Sequence, residues 1–142
     1  MHLINLNMKD IYFSRIVNAI IRRITNIPQV FMFYSPFRFY RDNRTRIASF
    51  RDIHKGQRCF IIANGPSLKN IDFKLLKNEI TIGMNRIYLM QNQNGFLPTY
   101  LTCIDEKSQT LQFYDEYDKL DIPCFYNFKL RNYFSLKENQ YF

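Results

Sequence analysis

Three short apolar runs recur at nearly constant spacing, and each is closed by hydrogen-bonding residues. Residues 59–63 (CFIIA) end at Asn64, residues 79–84 (EITIGM) at Asn85, and residues 100–104 (YLTCI) at Asp105. The intervals are 85 − 64 = 21 and 105 − 85 = 20 residues, one βα period each. Short apolar runs bounded by turn residues read as buried strands. Between them, Ile71, Leu75 and Leu76 fall at helical spacing in a short helix over 71–78, and 85–91 reads as a helical turn. Gly95 to Pro98 reads as a loop, and a further helix is expected around 108–117. A fourth strand begins at Pro123 and runs to Tyr126. Strands that alternate with helical segments and are apolar on both faces predict an α/β fold. It is a Rossmann-like parallel sheet of the doubly wound type, partial at about four strands.

In such sheets ligands bind just outside the carboxyl ends of the strands. The groups expected there are Asn64, Gly65, Pro66 and Ser67 after the first strand, Asn85 and Arg86 after the second, and Asp105 and Glu106 after the third. Gly65 lets a backbone approach a ligand closely. Pro66 and Ser67 can open a helix whose free N–H groups favour a phosphate. Asn64 can donate and accept, which suits a ribose or a base edge, and Arg86 can neutralise phosphate charge. The same Asn-Gly-Pro-Ser string is also an ordinary turn, and Asp105 taken singly is more often a helix cap than a ligand. The GxGxxG and GxxxxGK[ST] patterns are absent.

Charge divides the chain. Residues 1–58 hold 11 Lys/Arg against Asp10, Asp42 and Asp52, whereas 59–142 hold nine of each sign, so the net +8 belongs to the first part. The expected organisation is a basic amphipathic and aromatic extension over 1–57 and a partial Rossmann-like nucleotide-binding domain over 58–142. Within the extension, 11–24 reads as a helix with Phe13, Ile16, Val17, Ile20 and Ile24 on one face, and Pro28 lies beyond its end. Such a helix either packs its stripe on the rest of the protein, the commoner use, or lies on an anionic membrane surface. No nucleic-acid partner is expected, because no helix-turn-helix, zinc-finger or RNP-like pattern is present. Cys59, Cys103 and Cys124 form no CxxC pair and are expected to be reduced, buried packing residues. With His2 and His54 as the only histidines, the common zinc spacings are missing. No apolar run reaches the ~18 residues of a spanning helix. The expected location is cytoplasmic, with peripheral contact at the inner membrane face through 11–24 as the alternative to packing.

The segments IIANGPSLKNID (61–72), TIGMNRIYL (81–89) and FLPTYLTCIDE (96–106) resemble the nucleotide-binding half of a bacterial group. That group includes the lipooligosaccharide sialyltransferases and the MptE-like 6-hydroxymethylpterin diphosphokinase domain. The resemblance spans roughly residues 58–118. It implies that Asn64, Gly65 and Ser67 hold the phosphate and ribose region of a nucleotide, that Asn85 contacts the sugar–phosphate portion of a cytidine nucleotide donor, and that Asp105 faces the donor. The implied function is a glycosyltransferase of surface-glycan biosynthesis that uses a nucleotide-sugar donor and a glycan or lipid-linked acceptor and needs no cofactor. The diphosphokinase alternative would take ATP and magnesium, the metal at Asp105 and Glu106. A non-catalytic binding module is the third reading. Ala63 stands where the group commonly has Gly. No catalytic base is assignable, so the chain alone is expected to be truncated and incomplete for catalysis.

Overall fold

The computed structural model describes residues 8–105 and 108–142, in two compact units divided between Arg41 and Asp42. In the first unit, helix α1 (Met8–Phe33) contains the helix expected over 11–24 and continues well past it, with Pro28 inside. Proline removes one i→i−4 hydrogen bond and normally ends a helix. Here the apolar periodicity carries on across it through Ile24, Ile27 and Phe31, and the helix follows that pattern. Helix α2 spans Arg38–Ala48, where the sequence reading placed no element.

The second unit is built on a five-stranded sheet of β1 (Cys59–Ile62), β2 (Ile80–Met84), β3 (Tyr100–Cys103), β4 (Cys124–Tyr126) and β5 (Gln140–Tyr141). All neighbouring pairs are parallel, in the order β1-β2-β3-β4-β5. The α/β parallel sheet is as the sequence predicts, with one strand more. Two-residue β5 has no apolar run of its own to announce it. The order advances in one direction without the reversal of a doubly wound sheet, so these five strands contain no topological switch point. Crossovers of one hand and one direction fall on one face of a sheet.

The connections are tighter than expected. In place of a helix over 71–78 there are two 3-10 turns, Pro66–Asn70 and Phe73–Leu76. Asp72 interrupts them by capping the second, its carboxylate accepting from the Lys74 N–H at 3.1 Å. After β2, a 3-10 turn over Asn85–Leu89 runs into α3 (Met90–Asn94), which Gly95 ends in the left-handed conformation at φ 74°. After β3 come α4 (Ser108–Gln112) and α5 (Tyr114–Tyr117), separated at Phe113.

The register aligns Ile62, Gly83, Leu101, Cys124 and Gln140 in one row across the sheet. That face holds the core, where fully buried Leu101, Cys103 and Cys124 pack with Ile87, Tyr117 and Leu130. Gly83 has a packing reason. A Cβ there would collide with Ile87 and come within 2.8 Å of Pro98. The opposite face presents Tyr100, Phe125 and Tyr141, and Phe50 meets all three edge-on at centroid distances of 5.7, 5.3 and 5.1 Å. Phe50 precedes the residue-58 charge boundary yet packs on the sheet. Asn43, also ahead of that boundary, is buried and pairs with Phe142, donating from Nδ2 to its carbonyl at 3.0 Å and accepting its N–H at 3.1 Å. Arg46 adds hydrogen bonds to the carbonyls of Lys137, Glu138 and Gln140, its guanidinium over the Tyr141 ring. Cys103 and Cys124 are free and buried as expected, whereas Cys59 is exposed, because β1 is an edge strand with three of four residues open to solvent.

Candidate functional site

The carboxyl ends of the strands carry a row of amide side chains. Asn64, two residues past β1, donates from Nδ2 to the carbonyl of Met84, the last residue of β2, at 3.0 Å. Asn127, directly after β4, does the same across the β3–β4 pair, donating to the Ile104 carbonyl at 3.0 Å while its Oδ1 caps the Lys129 N–H. The sequence reading missed Asn127, although its signal was present: it continues the 21- and 20-residue spacing with 127 − 105 = 22. Two of these asparagines therefore stitch neighbouring strands where the ladder ends.

Asn85 is different. It follows β2 directly and adopts a left-handed backbone at φ 49°, a conformation that asparagine tolerates better than most residues. Its Oδ1 is buried and has no hydrogen-bond partner among the described residues. A buried acceptor left unpaired costs roughly 1–3 kcal/mol, and such groups usually have a partner.

The loop after β1 is open. Gly65 is extended at φ −92° and ψ 161°, so its backbone does not demand glycine, and a Cβ would meet only Ser67 Oγ at an ordinary 3.5 Å. Among the described residues no close contact requires glycine at this position. Pro66 and Ser67 do open a helical segment, but it is a five-residue 3-10 turn with no side-chain cap, not the α-helix N-terminus the sequence suggested. Its aligned dipoles and free N–H groups are correspondingly fewer. A cleft of about 530 Å³ beside this loop is lined by Gly65, Pro66, Lys69, Met90, Gln93 and Asn94 among others, a size in the range of small-ligand sites.

Arg86 is held from within. Its guanidinium lies 3.6 Å over the Phe113 ring, Nε donates to the Tyr88 hydroxyl at 3.4 Å, and Glu116 is 3.5 Å away. The hydrogen bond to Tyr88 raises its pKa further, with Glu116 adding to the effect. Tyr88 donates to Glu116 at 2.6 Å, and burial, then that bond, pushes its hydroxyl up to about 12. The three groups form a closed unit that braces the β2 end, and Arg86's charge is already met by Glu116. Asp105 is half-buried and its carbonyl accepts from Thr110 Oγ1 at 2.9 Å. Glu106 lies outside the described residues. Among the described residues no group of three or more His, Cys, Asp and Glu could hold a metal ion.

His54 is on the other edge. Its Nε2 is 2.6 Å from the hydroxyl of Tyr100, the first residue of β3, and its Nδ1 is 3.0 Å from Gln57 Oε1. The buried thiols of Cys103 and Cys124 are pushed up to about 12 by desolvation, which keeps them protonated and poor nucleophiles.

Comparison of the chain with protein-family models, with curated proteins and with solved structures finds no match in any of the three.

Proposed function

We propose that this chain binds a nucleotide at the carboxyl edge of its sheet and belongs to the nucleotide-sugar-dependent transferases, with a cytidine nucleotide as donor and a glycan or lipid-linked hydroxyl as acceptor. The observation that carries the reading is Asn85. A left-handed residue with a buried, unpaired carbonyl oxygen stands one strand from a glycine that the fold itself does not require. Asn85 does not line the cleft beside Gly65 and its oxygen is closed to solvent, so a nucleotide must shift the Asn85 side chain as it binds, a ribose hydroxyl or the exocyclic amine of cytosine then donating to it. The open space at Gly65 admits a phosphate or ribose close to the backbone, and Lys69 on the adjoining cleft brings positive charge. Sugar transfer needs a base at the acceptor hydroxyl and charge stabilisation on the departing phosphate. Here the loop around Gly65 and Ser67 is a candidate for the second task, while Arg86 acts as a brace.

Thermal unfolding with added nucleotides tests this. Ligand at about 100 times its Kd stabilises by about 2.7 kcal/mol. Cytidine monophosphate or a cytidine nucleotide sugar should raise the midpoint without metal, and Asn85→Gly, which keeps the left-handed backbone comfortable, should abolish the rise. Stabilisation by ATP with magnesium instead would assign the site to phosphoryl transfer. No response to either would make the amide row purely structural.

A further inference from the structure

We propose that helix α1 is an interfacial anchor that lies flat on an anionic lipid surface. The proposal is independent of the nucleotide reading. Phe13, Ile16, Ile20, Ile24, Ile27 and Phe31 recur at intervals of three and four residues and so form one stripe along the helix. Each is between 46% and 74% exposed among the described residues, so the stripe is open to solvent. Arg15, Asn18, Arg22 and Asn26 are exposed on the opposite face. The stripe persists through Pro28 and runs from Phe13 to Phe31, about 28 Å along a 26-residue helix. Within the described residues no helix is long and apolar enough to cross a membrane, so the placement proposed is in the interface plane and not across it.

Two features choose lipid over a second copy of the chain. The first is charge. Over its length α1 carries Lys9, Arg15, Arg22 and Arg23 against Asp10 alone, and each basic residue near an anionic surface favours binding. The second is Arg23. It stands three residues after Ile20 and four before Ile27, on the stripe itself. In a helix pair the seam would bring Arg23 against apolar side chains or its own copy. On a bilayer its methylene stem lies along the acyl surface while the guanidinium reaches the headgroups. Tyr12 and Tyr34, both exposed, flank the strip with rings suited to the headgroup boundary.

The test is flotation of the full chain with vesicles of phosphatidylcholine alone or mixed with phosphatidylglycerol. The chain should float with the anionic vesicles and about tenfold less with the neutral ones, and its binding should weaken as salt rises. Ile20→Asp combined with Ile24→Asp should abolish flotation while leaving the thermal midpoint of the sheet unit unchanged. Arg15→Glu with Arg22→Glu should remove the preference for anionic lipid. The chain contains no Trp, so Phe31→Trp provides a clean probe whose emission should shift to the blue on vesicle addition. Failure to bind anionic vesicles, or an unshifted Trp, overturns the proposal. So does a concentration-dependent dimer that the double Asp variant converts to monomer, since the stripe would then belong to a second copy.

Discussion

The two glycines nearest the strand ends should respond oppositely to the same methyl group. At Gly83 the added Cβ would collide with Ile87 and stand 2.8 and 3.1 Å from two carbons of Pro98. Ile87 is 1% exposed and Pro98 fully buried, so neither side chain has solvent to move into. Overpacking of this kind costs about 1–3 kcal/mol, and two rigid neighbours place Gly83→Ala near the upper end. At about 3 °C per kcal/mol for a chain of this size, the midpoint should fall by roughly 6–9 °C. At Gly65 the methyl meets only Ser67 Oγ at 3.5 Å, and the backbone is already extended. Gly65→Ala should therefore leave stability unchanged or raise it by up to about 1 kcal/mol through the less flexible unfolded chain. Urea denaturation with matched slopes reads both. A Gly83→Ala protein as stable as the parent would refute the packing argument. A Gly65→Ala protein that loses as much as Gly83→Ala would show that the loop is filled from within, and the open space assigned to a ligand would not exist.

Phe50→Ala should destabilise by about 2 kcal/mol, less than for a fully buried phenylalanine because Phe50 is half-buried, and should expose Tyr100, Phe125 and Tyr141; chemical denaturation measures it. A thiol reagent should label Cys59 rapidly in the native protein and Cys103 and Cys124 only on unfolding, with the three rates resolved by mass spectrometry. The Lys137 ammonium, 2.6 Å from Asp118, holds that carboxyl below its usual range. A carboxylate with a lowered folded pKa stabilises above its unfolded pKa of about 3.9, and that contribution is lost as pH falls further. Lys137→Met should thus cost under about 1 kcal/mol at pH 7, because both side chains are partly solvated, and should flatten the acid limb of stability below about pH 4.

What the sequence made legible was the sheet and its phase. Residues 59–62, 80–84, 100–103 and 124–126 are strands within a residue or two of the expected bounds, because each is an apolar run closed by a polar or turn residue. The connections were harder to read. A 3-10 turn and a short α-helix place apolar residues at nearly the same spacing, and only the Asp72 cap, a hydrogen bond to Lys74, splits 66–76 in two. β5 was invisible because its pairing depends on β4 and on the buried Gln140 side chain, which accepts from the Lys137 N–H at 3.2 Å. Charge counting could not show that Phe50 and Asn43 pack in the sheet unit, since one aromatic and one amide side chain leave the local composition basic. At the site, residue type and spacing located the strand ends, but whether a polar group is engaged internally is a tertiary fact. Arg86, which looked like a phosphate clamp, is closed onto Phe113, Tyr88 and Glu116.

That distinction separates the amides at the edge. Asn64 and Asn127 each spend a donor on the carbonyl at or just beyond a neighbouring strand's end. Their chemistry is explained by the sheet, and their loss is a loss of stability. Asn85 has the same residue type at the same phase, yet its buried Oδ1 has no partner among the described residues. A left-handed turn needs only glycine or asparagine, and glycine would meet that backbone requirement without burying an unpaired oxygen. An asparagine at that position therefore carries a cost that local geometry does not explain. A ligand donor would offset it, which is why the edge of the sheet, rather than its ion pairs or thiols, is where chemistry is to be sought.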